Sequence, residues 1–299
     1  MDKCPKSILR IITGTIIGFI ALGCMIFGGL PLLGLIAIIV YLCSKEYVDI
    51  LKHKGFYPSM KIILFADAVF AIIAYFNKFN IVPVAFTIGT ISAFMWVLFR
   101  GRQPYIANVA TTILGFVYSG WFPLHLLFLR DLGSNNHTSL QMLLKTDIFN
   151  AGFGYVLFMF FLVILTDVGC YYFGSNLGKH KLAPIVSPNK TIEGSIGGAI
   201  CSIISAEVIG LYLGAGWFVS FMAGLICTVF AQIGDLCESL IKRDAGVKDS
   251  GTSLPGHGGF LDRTDSFIFT IPIMYYFCKC FIFHTEWIAS VDAFIKGLF

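Results

Sequence analysis

Uninterrupted apolar runs constrain this chain more than any other feature. Ile11–Phe27, Ile81–Phe99 and Tyr155–Thr166 contain no charged residue. Roughly 20 mainly apolar residues in helical form span a bilayer, and a helix also satisfies its own backbone polar groups there. Composition agrees: 13% of the 299 residues are charged and 57% hydrophobic. Soluble domains carry about 25% charge, so this chain could not coat a water-soluble globule. The reading is an all-α, polytopic integral membrane protein; soluble, secreted and disordered classes are excluded.

Nine spans are expected, at 8–27, 30–43, 61–77, 80–99, 106–129, 151–173, 195–214, 217–235 and 265–284. Lys3, Lys6 and Arg10 ahead of the first run resemble a signal peptide, but the apolar stretch outlasts the usual 7–15-residue core. It reads as the first span. Lys and Arg collect on the cytoplasmic side of a membrane. A cytoplasmic N-terminus puts 16 of the 21 basic residues inside. The chain then divides into N-terminal spans over 1–150 and a C-terminal catalytic region over 151–299. The polar loops 174–194 and 236–264 of that region face the cytoplasm. The net charge of +4 is small and gives no ground for a nucleic-acid partner. Nine cysteines without a C-x-x-C pair read as membrane-buried free thiols.

Chemically capable residues concentrate after the eighth span. If that helix continues past the membrane, Asp235, Glu238, Ser239 and Lys242 share one face at i, i+3, i+4 and i+7. A glycine-rich loop with Lys248, Asp249 and His257 follows, whose backbone N–H groups could turn toward an anion. Asp262-Arg263-Thr264-Asp265 then opens the ninth span. Asp235 and Asp262 sit at the inner ends of consecutive spans. Two such carboxylates repel unless a cation joins them, and magnesium, a hard cation with oxygen ligands, is the natural candidate.

The run Ser239 to Asp265, with Lys242-Arg243, Lys248-Asp249, Gly251, Pro255-Gly256-His257-Gly258-Gly259 and Asp262-Arg263-Thr264-Asp265, resembles the signature of phosphatidate cytidylyltransferases. A second stretch is similar to the family's other motif region: Asp167 to Tyr171, Gly174, Gly178-Lys179, then Ser187-Pro188, Lys190-Thr191 and Glu193-Gly194. Gly169, Cys170 and Ile192 depart from its commoner residues. The resemblance is strong over roughly 160–270, and its bacterial form fits best.

That resemblance implies transfer of CMP from CTP to phosphatidic acid, giving CDP-diacylglycerol and pyrophosphate at a bacterial inner membrane. It places a Mg2+ centre on Asp235 and Asp262, with Glu238, Asp249 and Asp265 as outer ligands or orienters. Lys242, Arg243, Lys248 and Arg263 supply positive charge, and His257 could donate to a leaving phosphate oxygen. Ser187, Lys190, Thr191 and Glu193 suit nucleotide contacts, although Ser187 or Thr191 would equally cap the seventh span. Asp167 lines the substrate cavity, and a homodimer is suggested. Asp67, Glu207 and Lys279 lie within the membrane without a tie to the motif. In the abstract, intramembrane charges also suit a transporter. Inverted repeats are not evident, however, and the polar chemistry clusters at one face. A CTP-dependent lipid kinase is the nearer rival.

Overall fold

Wherever the sequence runs apolar for four or more turns, the chain is helical. The computed structural model describes residues 6–133, 150–253 and 258–283, and the side chains of the first helix from Gly14 onward. Nine helices are present among the described residues. They are α1 (Lys6–Phe27), α2 (Gly29–His53), α3 (Met60–Tyr75), α4 (Val82–Arg100), α5 (Tyr105–Arg130), α6 (Ala151–Leu177), α7 (Ile192–Leu213), α8 (Trp217–Asp244) and α9 (Leu261–Phe283). Among the described residues seven of them, α2 and α4 to α9, are long and apolar enough to cross a membrane, and the described part of α1, Gly14–Phe27, is a shorter apolar helix. The division expected at 150 adjoins the segment 134–149, which lies outside the described residues.

Several helices outrun their apolar stretches. α2 continues to His53 and α8 to Asp244, each adding polar turns beyond the run that crosses the lipid. α5 contains a π-helical segment, Phe116–Trp121, and α9 ends in another, Lys279–Phe283. One element departs from the all-α expectation. In the 174–194 loop, β1 (Lys181–Ala183) pairs antiparallel with β2 (Ser187–Thr191). Pro184 and Pro188 forbid a helix here, and the chain turns back on itself instead.

α6 and α7 form the most closely packed helix pair, and small residues are the reason. A methyl group at Gly198 would stand 2.8 Å from the Thr166 carbonyl oxygen. α9 lies centrally, packed on α5, α6 and α8. At the far end, buried Arg130 donates through Nε to the Met25 carbonyl (2.7 Å) and through Nη2 to that of Ile26 (2.9 Å). Those oxygens belong to the unsatisfied last turn of α1, so Arg130 pins α5 to the α1–α2 turn. Among the described residues the eight cysteines are free thiols.

Candidate active site

The polar ends of α6, α8 and α9 converge with the β1–β2 hairpin. On α8, the helix continues through Asp235, Glu238, Ser239 and Lys242, so the four residues share a face toward α9 and the hairpin. Lys242 pairs with Glu238 one turn earlier and with Asp262 at 2.6 Å. Glu238 is fully buried and the Lys242 side chain is 11% exposed. Asp262 also accepts from the Ser250 N–H (3.0 Å) and the Gly259 N–H (3.2 Å). A charged ammonium and two amides around one carboxylate make strong, charge-assisted bonds. Asp262 is therefore locked.

Asp235 stands differently. Its partner is Lys190 of β2 at 2.6 Å, with side chains 24% and 32% exposed. Both residues line a cleft of about 520 Å³ with Asp167 of α6, Gly174, Asn189 and Gln232. Asp167, Asp235 and Asp265 lie within electrostatic range of one another. Ser266 donates through its hydroxyl to Asp167 at 3.5 Å, and its N–H bonds Asp265 at 2.7 Å.

The remaining sequence candidates divide by what they touch. Thr191 caps α7, accepting from the Gly194 N–H at 3.2 Å. Glu193 accepts from the Lys179 N–H at 3.0 Å and pairs with His180 Nδ1 at 2.6 Å, closing the turn before the hairpin. Thr191 also lines the cleft beside Lys190. Arg243 donates to the carbonyls of Val186 and Val247, tying the hairpin to the end of α8. Lys248, Asp249 and Arg263 are exposed, Ser187 half-buried and Ser239 buried. His257 lies outside the described residues.

One residue was missed. Glu46 of α2 is buried, yet it reaches the signature loop and the start of α9. It accepts from Ser250 Oγ (3.0 Å), Phe260 N–H (2.9 Å) and Leu261 N–H (2.8 Å). The close approach needs glycine: a methyl at Gly259 would lie 1.8 Å from Ser250 Oγ and 2.9 Å from Glu46. The signal in the sequence was slight, a carboxylate three residues past an apolar run. Nothing there named a partner more than 200 positions away.

Among the described residues no three acidic, histidine or cysteine side chains converge to hold a metal on their own. Magnesium seldom needs that. It is usually held by one or two carboxylates plus substrate phosphates. Asp167 and Asp235 face one lysine, Lys190, at the cleft, and the Asp265 carboxylate lies within electrostatic range of both. That donor set fits a hard divalent cation.

The pattern of the cytidylyltransferase family matches residues 8–281. The chain belongs to that family. A phosphatidate cytidylyltransferase from Synechocystis is 33% identical over 280 residues, 90% of this chain and 95% of that protein. Phosphatidate cytidylyltransferases from Staphylococcus saprophyticus and Staphylococcus aureus are each 52% identical, over 126 and 125 residues, 41% of this chain and 48% of each relative. In this cytidylyltransferase the match runs from α1 into the last turn of α9, so the N-terminal helices belong to the family as well as the signature.

Proposed function

We propose that this cytidylyltransferase transfers CMP from CTP to phosphatidate at the cleft bordered by Asp167, Lys190 and Asp235. The observation that carries the reading is the open Lys190–Asp235 pair, set among further carboxylates at the edge of a cleft in a chain of this family.

The nucleophile is a phosphate monoester oxygen with a second pKa of about 6, already ionised near neutrality, so no general base is required. An oxygen of phosphatidate bonds to the α-phosphorus of CTP as the bond to the bridging oxygen of the β-phosphate breaks. CDP-diacylglycerol forms and pyrophosphate leaves. Repulsion between two anions is the obstacle, and positioning plus charge neutralisation is the remedy. Lys190 exchanges its carboxylate for a nucleotide phosphate, with Asn189 and Thr191 lining the same cleft. Lys248 and Arg263 add positive charge from the exposed loop and the first turn of α9. Lys242 holds Asp262 in place rather than meeting substrate, and Arg243 steadies the hairpin. Asp235, with Asp167 or Asp265 beside it, would hold Mg2+, which would supply positive charge against the triphosphate.

The same reading puts the N-terminus and the cleft on the cytoplasmic side and makes the enzyme a homodimer. An impermeant thiol reagent applied to sealed cells should label Ala215→Cys, in the α7–α8 turn, and spare Ile185→Cys at the tip of the hairpin. Labelling of the hairpin position would overturn the orientation. For the reaction, the decisive assay uses reconstituted protein with phosphatidate, magnesium and CTP labelled in either cytidine or the γ-phosphate. Cytidine label should enter the lipid. Transfer of γ-phosphate would make the protein a kinase and end the proposal.

A further inference from the structure

Where α3 begins and α4 ends, three cations gather without an acid. Asp67 is the one acidic residue between positions 50 and 130, and it is buried within α3. Lys61 lies in the first turn of α3, Arg100 in the last turn of α4, and Arg102 just beyond it. All three are exposed, and among the described residues no carboxylate pairs with any of them. Lys61 Nζ stands 5.8 Å and Arg100 Cζ 6.0 Å from the centre of the Trp96 ring. Arg102 Cζ lies 5.8 Å from the centre of the Tyr57 ring.

The arrangement is held from beneath. Buried Asn108 of α5 accepts from the Tyr57 N–H at 2.7 Å and donates to the Arg102 carbonyl at 2.7 Å. One turn on, buried Thr112 accepts from the Ser59 N–H at 3.0 Å. Two loops are thereby fixed to one helix, along with the backbone that carries Tyr57 and Arg102. Lys61 sits where the N-terminus of α3 is already partly positive, a place that favours anions over cations. Lys61 and Arg100, gathered at one ring, repel each other. No acid among the described residues answers that charge; an arriving anion would.

The surroundings say which anion. Leu98, Phe99, Tyr105 and Ile106 flank these cations in the chain and are exposed, at the end of a helix long and apolar enough to cross a membrane. Trp and Tyr favour the headgroup level of a bilayer, and Lys and Arg there attract anionic lipid. A free phosphate would leave the apolar flank unused. We propose that Lys61 and Arg100 at Trp96, with Arg102 at Tyr57, form a site for the headgroup of an anionic phosphodiester lipid. This lipid is a resident and not the reactant, since no residue of α3, α4 or α5 lines the cleft. Lys54, in the loop before α3, pairs with Asp244 at the end of α8 at 2.7 Å. The site therefore lies at the same membrane face as the cleft.

The test needs no turnover, so its outcome is independent of the reaction assigned above. Protein in phosphatidylcholine vesicles receives a trace of phosphatidylglycerol carrying a photoreactive group at its headgroup. Label should fall on segments 57–61 and 96–102. Excess unlabelled phosphatidylglycerol should suppress it; further phosphatidylcholine, inorganic phosphate and saturating CTP should not. Lys61→Gln combined with Arg100→Gln should cut labelling of those segments at least tenfold, at about fivefold per cation lost. Lys179→Gln combined with Lys181→Gln removes as much exposed charge after α6 and should change the label by less than about twofold. Should the first double variant fail to fold, competition on the unaltered protein decides. Absence of label from both segments, failure of phosphatidylglycerol to suppress it, or suppression by phosphatidylcholine overturns the proposal. So does an equal response of the two double variants. Suppression by inorganic phosphate would make this a site for a free anion, and displacement by CTP would return the label to the cleft; either result also ends the proposal.

Discussion

Two lysine–aspartate pairs lie along the C-terminal third of α8, and they are built for different tasks. Lys242–Asp262 is nearly buried, shares its ammonium with fully buried Glu238, and is clasped by the amides of Ser250 and Gly259. Lys190–Asp235 has a similar length, 2.6 Å, but its side chains remain a quarter to a third exposed on the cleft. A pair enclosed by protein cannot trade partners without leaving a buried charge bare. A pair on a cleft can, because water or an arriving phosphate replaces what is lost. One pair is a frame and the other a contact, although both are Lys–Asp.

The largest expected effect comes from breaking the enclosed pair. Lys242→Met leaves Glu238 and Asp262 as buried carboxylates without their cation and should cost about 3–5 kcal/mol, read as a lower unfolding temperature in detergent. Adding Glu238→Leu should recover part of it, since removing both members of a buried pair is far less harmful. An unchanged unfolding temperature would erase the distinction between the pairs.

Asp235→Asn should do the reverse. Turnover should fall roughly 100-fold, the scale of losing an electrostatic stabiliser, while the unfolding temperature holds. Wild-type turnover at limiting magnesium would remove Asp235 from the site.

Glu46→Gln sharpens the comparison from the side of the frame. It keeps the shape of the side chain but loses the charge that organises three donors. The signature loop should shift slightly, lowering kcat about tenfold with KM for CTP nearly unchanged. A rise in KM with normal kcat would make Glu46 a binding residue instead.

The smallest effect is expected at Lys190. Lys190→Gln should raise KM for CTP about fivefold, about 1 kcal/mol, and alter stability by less than that, as for other partly exposed pairs. A large loss of stability would place Lys190–Asp235 with the frame.

Buried Asp67 shows where a sequence reading stops. It was legible as an intramembrane charge, but not that Ser44 of α2 would donate to it at 3.3 Å and Ser119, in the π-helical segment of α5, would bond Ser44 at 2.9 Å. Nor could Glu46 be seen reaching the signature loop. Thr191 and Glu193 suited either a nucleotide or a helix start, and in the structure their bonds go to the helix start and the turn before it. In each case the missing fact was a partner far along the chain or a competing local bond. Residue type and spacing do not encode either one.

The sequence by itself determined that this protein is a bundle of apolar helices, because charge-free runs of that length have no other stable form in lipid. It also determined the family and the stripe on α8, since helical period alone aligns Asp235, Glu238, Ser239 and Lys242. Only the tertiary structure decided which lysine answers which aspartate and that α2 supplies Glu46 to the signature loop. Those outcomes depend on how helices distant in sequence pack and on which charges the packing shuts away from water. That is a property of the assembled surfaces, and no single segment carries it.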